Sequence, residues 1–176
     1  MRFIETKVSG VFVIEMELRE DNRGFFARSW CSKEFEARGL LSRIAQINAG
    51  FTARRAGLRG LHFQVAPHAE SKTVRCTRGS IFDVAVDLRP DSPTHKQWVG
   101  FELTAENHQM VYIPEGCAHG YQTLVHDSEV EYLTSQFYAP DSARGVRFDD
   151  PAFGINWPLP VGLISEADKS WPGYPG

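Results

Sequence analysis

Arg59-Gly60-Leu61-His62-Phe63-Gln64 is the stretch that decides the fold of this chain, and Lys72 follows it eight residues later. Alternation places Arg59 and His62 on opposite faces of an extended segment. A bulge at Gly60 would re-aim one of those faces, because glycine within a strand often marks a kink or a close approach. We therefore expect His62 to point into a cavity lined by a sheet, with Arg59 close by.

Lys72 begins the next β-rich run, Lys72 to Cys76, and a short hairpin would return it to the neighbourhood of His62. An imidazole and two cations at one end of a pocket suit an anionic ligand and proton transfer. The alternative is a buried histidine among ordinary surface charges. This stretch alone leaves both interpretations open.

The chain has the length and composition of one soluble globular domain, which we place at residues 1–176. Its net charge of −3 gives no electrostatic case for binding nucleic acid or a membrane surface. No apolar run approaches a membrane span, and residues 1–20 lack the features of a signal peptide. The three widely spaced cysteines indicate reduced thiols in a cytoplasmic protein, with neither a metal spacing nor a disulfide framework.

Many short β-runs separated by turn residues predict an all-β barrel or sandwich. The predicted strands are Val11–Leu18, Gly24–Trp30, Ile44–Asn48, Leu58–Gln64, Lys72–Cys76, Ser80–Leu88, Trp98–Leu103, Gln109–Ile113, Gly120–Leu124, Val130–Phe137 and Gly145–Phe148. A single helix is predicted from Ser32 to Leu40, with Ser32 as N-cap and Gly39 near its end. A short helical turn is predicted from Ser165 to Asp168.

Residues Pro114 to Gly120 narrow the class of fold, since P-x-G-x-x-H between two β-runs resembles the second signature of the cupin jelly roll. The first cupin signature carries H-x-H and then a glutamate, which bind a metal with the later histidine. Here the matching residues are His62-Phe63-Gln64, and Glu70 comes late for the acid. His62 and His119 are too few to hold a divalent metal, which generally takes three or four ligands. We expect a cupin barrel without metal, in which His62 is free to act as a base.

An ordered series of motifs along nearly the whole chain resembles the nucleotide-sugar 3,5-epimerases of the dTDP-4-dehydrorhamnose pathway, a metal-free branch of the cupins. The series is Asp21 to Phe26, Gln46 to Asn48, Arg59 to Gln64, Lys72, Asp83 to Arg89, Ser92 to Thr94, Pro114 to Gly120, Tyr132, Tyr138 and Ile164 to Asp168. The resemblance implies a cupin-type jelly-roll barrel with a short N-terminal helix and a short C-terminal helical segment. It also implies cytoplasmic deoxysugar and surface-polysaccharide biosynthesis without a cofactor.

Epimerisation beside a ketone needs a base, a group that holds the enolate oxygen, and an acid on the opposite face. His62 suits the base, because an imidazole titrates near neutrality. The resemblance implies that Asp168 fixes its tautomer and stabilises its protonated form. Lys72 would carry a positive charge to the oxyanion at C4. Tyr132 matches the tyrosine that donates a proton from the opposite face. Each of these residues taken alone has an ordinary structural alternative.

A nucleotide-diphosphate sugar also requires contacts to its phosphates and base. Arg59 and Arg23 are the candidates for phosphate, which guanidinium groups bind through parallel hydrogen bonds. Gln46 and Asn48 match polar family positions in the pocket, and Tyr138 could stack on the base. His119 is either a substrate contact or a structural histidine. Arg23 lies in a segment that reaches into the partner's site in this family, which implies a homodimer.

Arg28 departs from the family pattern, which usually has a glutamate at this position in the nucleotide pocket. Thymine N3–H suits a carboxylate, whereas cytosine and guanine present acceptors that arginine can contact. The alternatives are therefore a dTDP-, CDP- or GDP-linked sugar, and a 3-only or 5-only epimerase. Three other functions stay open: a 3,4-ketoisomerase, a metal-dependent cupin dioxygenase, and a non-catalytic nucleotide-sugar sensor.

Overall fold

Two six-stranded sheets face each other in the computed structural model, which describes residues 1–175. The first sheet has the order β1-β2-β10-β7-β12-β5, and the second has β13-β6-β11-β8-β9 with β14 paired parallel to β6. The strands are β1 (Arg2–Glu5), β2 (Phe12–Glu15), β3 (Arg19–Asp21), β4 (Gly24–Phe26), β5 (Gln46–Thr52), β6 (Gly57–Gln64), β7 (Lys72–Arg78), β8 (Ser80–Asp87), β9 (Trp98–Thr104), β10 (Gln109–Ile113), β11 (Cys117–Thr123), β12 (Ser128–Thr134), β13 (Ala143–Gly145) and β14 (Leu163–Ile164). Strands β3 and β4 form a separate hairpin. This arrangement is the predicted all-β, cupin-like barrel.

Alternating side chains on β8 show how one strand serves two hydrophobic clusters. Ile81 and Ala85 join the cluster between the sheets, together with residues of β7, β9, β10, β11 and β12. Val84 and Val86 belong to a second cluster on the outer face of the second sheet. A side-chain period of two sends neighbouring residues to opposite faces, so both faces of this sheet are covered.

The outer face of the first sheet is covered by helix α1, which spans Ser32–Glu36. Phe35 is 1% exposed and makes edge contacts with Phe3 and Tyr112, at ring-centroid distances of 5.3 and 5.9 Å. Aromatic rings favour such edge-to-face contacts because of their quadrupoles. The outer face of the second sheet is covered by the C-terminal segment, where Phe153 and Tyr174 lie 5.3 Å apart. The chain ends thus close the barrel from both sides.

The N-terminal helix begins at the predicted residue, but the residue that caps its N-terminus differs from the prediction. Ser32 is the first helical residue, and Cys31 is the N-cap without a side-chain hydrogen bond, so the prediction of Ser32 as N-cap was wrong. The α-helix ends at Glu36, and Gly39 follows with φ of 70°. The Leu40 N–H then donates to the Phe35 carbonyl, which also accepts the Arg38 N–H, so the chain turns back at the helix end. Leu40 itself lies outside the helix.

Helix α2 confirms the predicted C-terminal turn. It spans Glu166–Lys169, and the Ser165 side chain caps it by accepting the Asp168 N–H at 3.0 Å. None of the helices within residues 1–175 is long and apolar enough to cross a membrane. The single domain over residues 1–176 stays a prediction, and its last residue lies outside the described part of the chain.

The expected hairpin between the His62 strand and the Lys72 strand was wrong. Strand β6 lies in the second sheet and β7 in the first, so the chain crosses from one sheet to the other between them. Lys72 nevertheless returns to His62, because its Nζ donates to the His62 carbonyl at 3.3 Å. The two residues therefore approach each other across the barrel.

Candidate active site

A cavity of about 530 Å³ opens between the two sheets. Nine of the eleven predicted site residues line it: Gln46, Asn48, Arg59, His62, Lys72, His119, Tyr132, Tyr138 and Asp168. They come from β5, β6, β7, β11 and β12, from the segment after β12, and from α2. Arg23 and Arg28 do not belong to this lining. The strands that sequence alternation predicted thus bring most of the predicted residues to one space.

A bulge in β6 places Arg59 and His62 on the cavity side together. His62 pairs with His119 of β11, and Arg59 pairs with Tyr121. Between these two pairs β6 advances by three residues and β11 by two, so β6 contains one extra residue. Gly60 has φ of +120°, and a Cβ there would lie 2.6 Å from the Gly120 Cα. Only glycine fits this backbone and this close approach. The predicted bulge at Gly60 is confirmed, and it is what puts both side chains on one face.

His62 and Asp168 form a short hydrogen-bonded pair. The Asp168 Oδ1 lies 2.5 Å from His62 Nε2, and Asp168 is 6% exposed. Burial raises the pKa of Asp168, but hydrogen bonds from His62, Ser165 and the Gly60 backbone outweigh it and leave the pKa below its usual value. An ionised carboxylate accepts the Nε2–H, so the lone pair of the neutral imidazole is on Nδ1. The pair has the arrangement of an oriented general base.

Lys72 is held in a buried ion pair. Its Nζ lies 2.7 Å from Glu70 Oε1, and the two side chains are 9% and 11% exposed. The ammonium also donates to the His62 carbonyl, which fixes it beside that residue. A charge held in a low-dielectric cavity acts more strongly on a developing oxyanion than one in water. Glu70, which the sequence suggested only as a late metal ligand, is the counter-ion of this lysine.

Tyr132 faces His62 from the other sheet. It lies on β12 of the first sheet and packs against the cluster between the sheets, whereas His62 is on β6 of the second. Burial raises the pKa of Tyr132, the Glu70 charge adds to the rise and Arg59 opposes it. The phenol is therefore kept protonated at neutral pH and can donate. The cavity has an imidazole on one wall and a phenol on the other.

His119 forms a second histidine–carboxylate pair deeper in the barrel. Its Nε2 lies 2.7 Å from Asp83 Oδ2, and both residues are buried. Tyr121, two residues along β11 on the same face, also lines the cavity. Burial raises the pKa of Tyr121, while Arg59 lowers it in part. The sequence reasoning missed Tyr121 and Asp83, although alternation from His119 along β11 would have found Tyr121.

Gln64 shows what replaces the second metal ligand of the cupin signature. Its Oε1 accepts the Ala139 N–H at 2.7 Å, and its Nε2 donates to the carbonyls of His68 and Phe137 at 2.9 and 3.2 Å. The amide thus ties β6 to the loop beside Tyr138. Within residues 1–175, no group of three or more His, Cys, Asp or Glu side chains is placed to hold a metal ion.

Arg23 and Arg28 lie outside the cavity of their own chain. Arg23 is on the β3–β4 hairpin with its side chain 85% exposed and pairs with Asp21 at 2.6 Å. Arg28 follows that hairpin, is 60% exposed, and pairs with Glu34 at 3.0 Å. Within one chain, neither guanidinium contributes to the cavity lining. Their predicted roles in binding the nucleotide stay predictions.

The fold and the site together define an isomerase built on a cupin-type barrel. Residues 5–175 match the profile of the dTDP-4-dehydrorhamnose 3,5-epimerase family. A dTDP-4-dehydrorhamnose 3,5-epimerase of Methanothermobacter thermautotrophicus is 42% identical over 173 residues, which is 97% of this chain and 92% of the relative. The chain belongs to this family, and the predicted resemblance and enzyme class are confirmed.

Two solved structures agree with this assignment over nearly the whole fold. The dTDP-4-dehydrorhamnose 3,5-epimerase of Bacillus anthracis, with TDP and PPi bound, has a TM-score of 0.94 at 39% identity, covering 98% of this chain and 99% of that one. The dTDP-6-deoxy-D-glucose-3,5-epimerase of Legionella pneumophila, in complex with dTDP-4-keto-L-rhamnose, has a TM-score of 0.91 at 35% identity, covering 98% and 92%.

Proposed function

We propose that this protein epimerises C3 and C5 of a dTDP-linked 4-keto-6-deoxyhexose, giving a dTDP-4-dehydrorhamnose. The observation that carries the proposal is the placement of His62, paired with Asp168, and Tyr132 on facing sheets of one cavity. Inversion at a carbon requires that a proton leaves one face and returns to the other. Residues on opposite walls provide these two faces.

The base step begins at the free nitrogen of His62. Nδ1 takes the proton from the carbon next to the ketone, and the C–H electron pair moves into the enolate, placing negative charge on the C4 oxygen. The imidazolium is stabilised by Asp168, whose lowered pKa keeps it ionised. Lys72 stabilises the oxyanion from its fixed position beside His62.

The acid step completes the inversion. Tyr132 donates its phenolic proton to the enolate carbon from the opposite face, and the ketone re-forms. One round leaves His62 protonated and Tyr132 ionised, so a proton must pass from one to the other through solvent before the second carbon reacts. Glu70 and the buried surroundings of Tyr132 raise the pKa of the phenol and so favour its return to the neutral form.

Deuterium exchange tests the reaction. With dTDP-4-keto-6-deoxyglucose in D2O, deuterium should enter C3 and C5, and NMR of the product should show inversion at both carbons. His62→Ala should abolish exchange, because it removes the imidazole that pairs with Asp168. His126→Ala is the matched control, since His126 is exposed and outside the cavity lining. Full exchange in His62→Ala would refute the proposed base, and inversion at one carbon would make the enzyme a mono-epimerase.

The dTDP moiety is supported by the ligands of the two solved relatives. The arginine that departs from the family pattern is paired with Glu34 and lies outside the cavity lining of its own chain. Calorimetric titration with dTDP, CDP and GDP should show the tightest binding for dTDP, unchanged in Arg28→Ala. Tighter binding of CDP or GDP, shifted towards dTDP in Arg28→Glu, would reverse the assignment.

We further propose a homodimer in which the β3–β4 hairpin completes the site of the partner. The hairpin carries Arg23 together with Phe25 and Phe26, which are 51% and 68% exposed. Exposed aromatic rings beside a cation suit an interface with a second copy. Mixed dimers of Arg23→Ala and His62→Ala chains should regain one intact site, whereas each homodimer is impaired. A fully active monomer in sedimentation would overturn this arrangement.

A further inference from the structure

Position 145 lies directly opposite the proposed base. Gly145 of β13 pairs with His62 of β6 in the antiparallel register. Side chains of directly opposed residues share one face and are neighbours. Gly145 has no side chain, and a Cβ built on it would lie 2.3 Å from the Trp171 ring, with three indole atoms within 2.5 Å. The indole therefore fills the space of the missing side chain.

Trp171 also contacts the base itself. Its ring packs edge to face against the His62 imidazole, with centroids 6.2 Å apart and an interplanar angle of 69°. The indole lines the cavity three residues after Asp168, so one short segment supplies both the partner and the neighbour of the imidazole. Trp171 Nε1 is buried without a hydrogen-bond partner among residues 1–175. A buried donor without a partner lowers the stability of the fold, so a gain in stability does not explain why a tryptophan stands here.

The C-terminal segment is tied to the barrel beyond the indole. The Tyr174 N–H donates to Asp150 Oδ2 at 2.6 Å, and its hydroxyl lies 2.9 Å from His95 Nε2. On the other side of Trp171, Ser165 caps the helix that carries Asp168. Strand β14, which precedes this helix, pairs with β6, so the segment that carries the indole is anchored to the barrel on both sides.

We propose that Trp171 is a positioning residue that holds the His62 ring on Asp168 by occupying the place of a side chain at Gly145. The imidazole can rotate about its Cβ–Cγ bond, and only one orientation puts Nε2 on Asp168 and Nδ1 towards the substrate. The indole, packed against the imidazole at an interplanar angle of 69°, hinders this rotation. This inference rests on the proposed role of His62 as base.

Two single variants disturb the same contact from opposite sides. Trp171→Ala removes the indole edge, and Gly145→Ala pushes it away with one methyl group at a backbone conformation that alanine tolerates. Both should lower kcat for deuterium exchange by roughly 10- to 100-fold, the cost of a small misplacement of a catalytic group. Both should leave KM for the dTDP-sugar unchanged. Trp171→Phe, which keeps an aromatic edge and removes the orphan donor, should restore most of kcat.

The double variant separates positioning from general damage. Once the indole is absent, the added methyl group has nothing to displace, so Gly145→Ala/Trp171→Ala should be no slower than Trp171→Ala. The control for glycine is Gly162→Ala, whose Cβ would lie 3.3 Å from Ala56 and outside the cavity lining. The control for tryptophan is Trp157→Ala, whose indole packs on Phe82 in the outer cluster. Thermal unfolding is measured for every variant.

The outcomes distinguish this inference from the proposed function. Loss of exchange in His62→Ala with wild-type kcat in Trp171→Ala or Gly145→Ala would overturn the inference and leave the epimerase assignment intact. Effects of the two substitutions that multiply would also overturn it. Retained exchange in His62→Ala would instead refute the base that the inference requires. Should Trp171→Ala fail to fold, the kcat of Gly145→Ala and its rescue by added Trp171→Phe decide the question.

Discussion

Asp168→Asn is the substitution that tests the acid–base pair most directly. Asparagine has the same shape, and the Ser165 hydroxyl that accepts the Asp168 N–H is unaffected, so the fold should persist. The substitution removes a buried negative charge at 2.5 Å from His62 Nε2. The His62 ring then loses the partner that stabilises its protonated form and fixes the proton on Nε2.

The expected loss has two parts. A hydrogen bond to a charged group contributes about 1.5–3 kcal/mol, and at about 1.4 kcal/mol per factor of ten this gives roughly 10- to 100-fold. The second part is the tautomer, since an imidazole protonated on Nδ1 cannot accept the substrate proton there. The same substitution in hydrolase triads costs about 10⁴-fold in kcat. We therefore expect kcat to fall by between about 10² and 10⁴, with an unchanged KM.

Deuterium wash-in at C3 and C5, followed by NMR, measures the effect on the base step itself. Asp149→Asn is the control, because Asp149 is an exposed carboxylate paired with Arg147 outside the cavity. A fall of less than tenfold in Asp168→Asn, with wild-type thermal unfolding, would show that the carboxylate does not orient the base. An equal effect on KM would instead indicate that it binds the substrate.

The same carboxylate links stability to pH. The folded pKa of Asp168 is below its usual value, so the unfolded chain binds its proton at a higher pH than the folded one. The stabilisation is complete above the unfolded pKa of about 3.9 and is lost as the pH falls through the lower folded pKa. Asp168→Asn should remove this contribution to the acid limb of the unfolding curve.

Three other substitutions give separable outcomes. Tyr132→Phe should suppress product formation by about 10²- to 10⁴-fold while the proton taken by His62 still exchanges in NMR, and equal loss of both would contradict its role as acid. Asp87→Asn should lower the free energy of unfolding by roughly 2 kcal/mol at neutral pH, because burial is outweighed by hydrogen bonds from Arg89, Ser92 and Thr94, which bring the pKa of Asp87 to about 2. In urea titrations the difference from wild type should vanish below that pKa, and equal stability of the two proteins at pH 7 would refute the prediction. Gln64→Glu should cost about 1–3 kcal/mol in the same titrations, since the carbonyls of His68 and Phe137 lose their donor, and a neutral result would show that this amide does not hold the loop.

Much of the barrel could be predicted because each long strand has a clear period of two. Strand β10 was predicted with its observed bounds, and β6 and β8 within one residue at an end. Strands β1, β3 and β14 were missed. β3 is fully exposed and charged, and β14 is two residues long and forms only because distant β6 offers a parallel edge. Such strands depend on tertiary pairing and leave little local signal.

The residues of the site likewise differ in whether their positions depend on local sequence or on tertiary pairing. Local pattern and family resemblance together predicted nine of the residues that line the cavity, including His62 and Asp168, which are 106 positions apart. The contact between Trp171 and Gly145 could not be predicted, because one partner has no side chain and the contact depends on how the last segment folds back. The pairing of Asp83 with His119 depends likewise on the register of β8 and β11.

The extra residue in β6 also fixes the distance between two side chains that project into the cavity. Because of the bulge, Arg59 and His62 project into the cavity at a fixed separation along one rigid strand. When Arg59 holds the diphosphate as proposed, this separation decides which ring carbon arrives at His62. A sugar joined through a shorter or longer bridge would bind by its phosphates and present the wrong carbon. Under the proposed function, the bulge at Gly60 thus selects the length of the substrate as well as its chemistry.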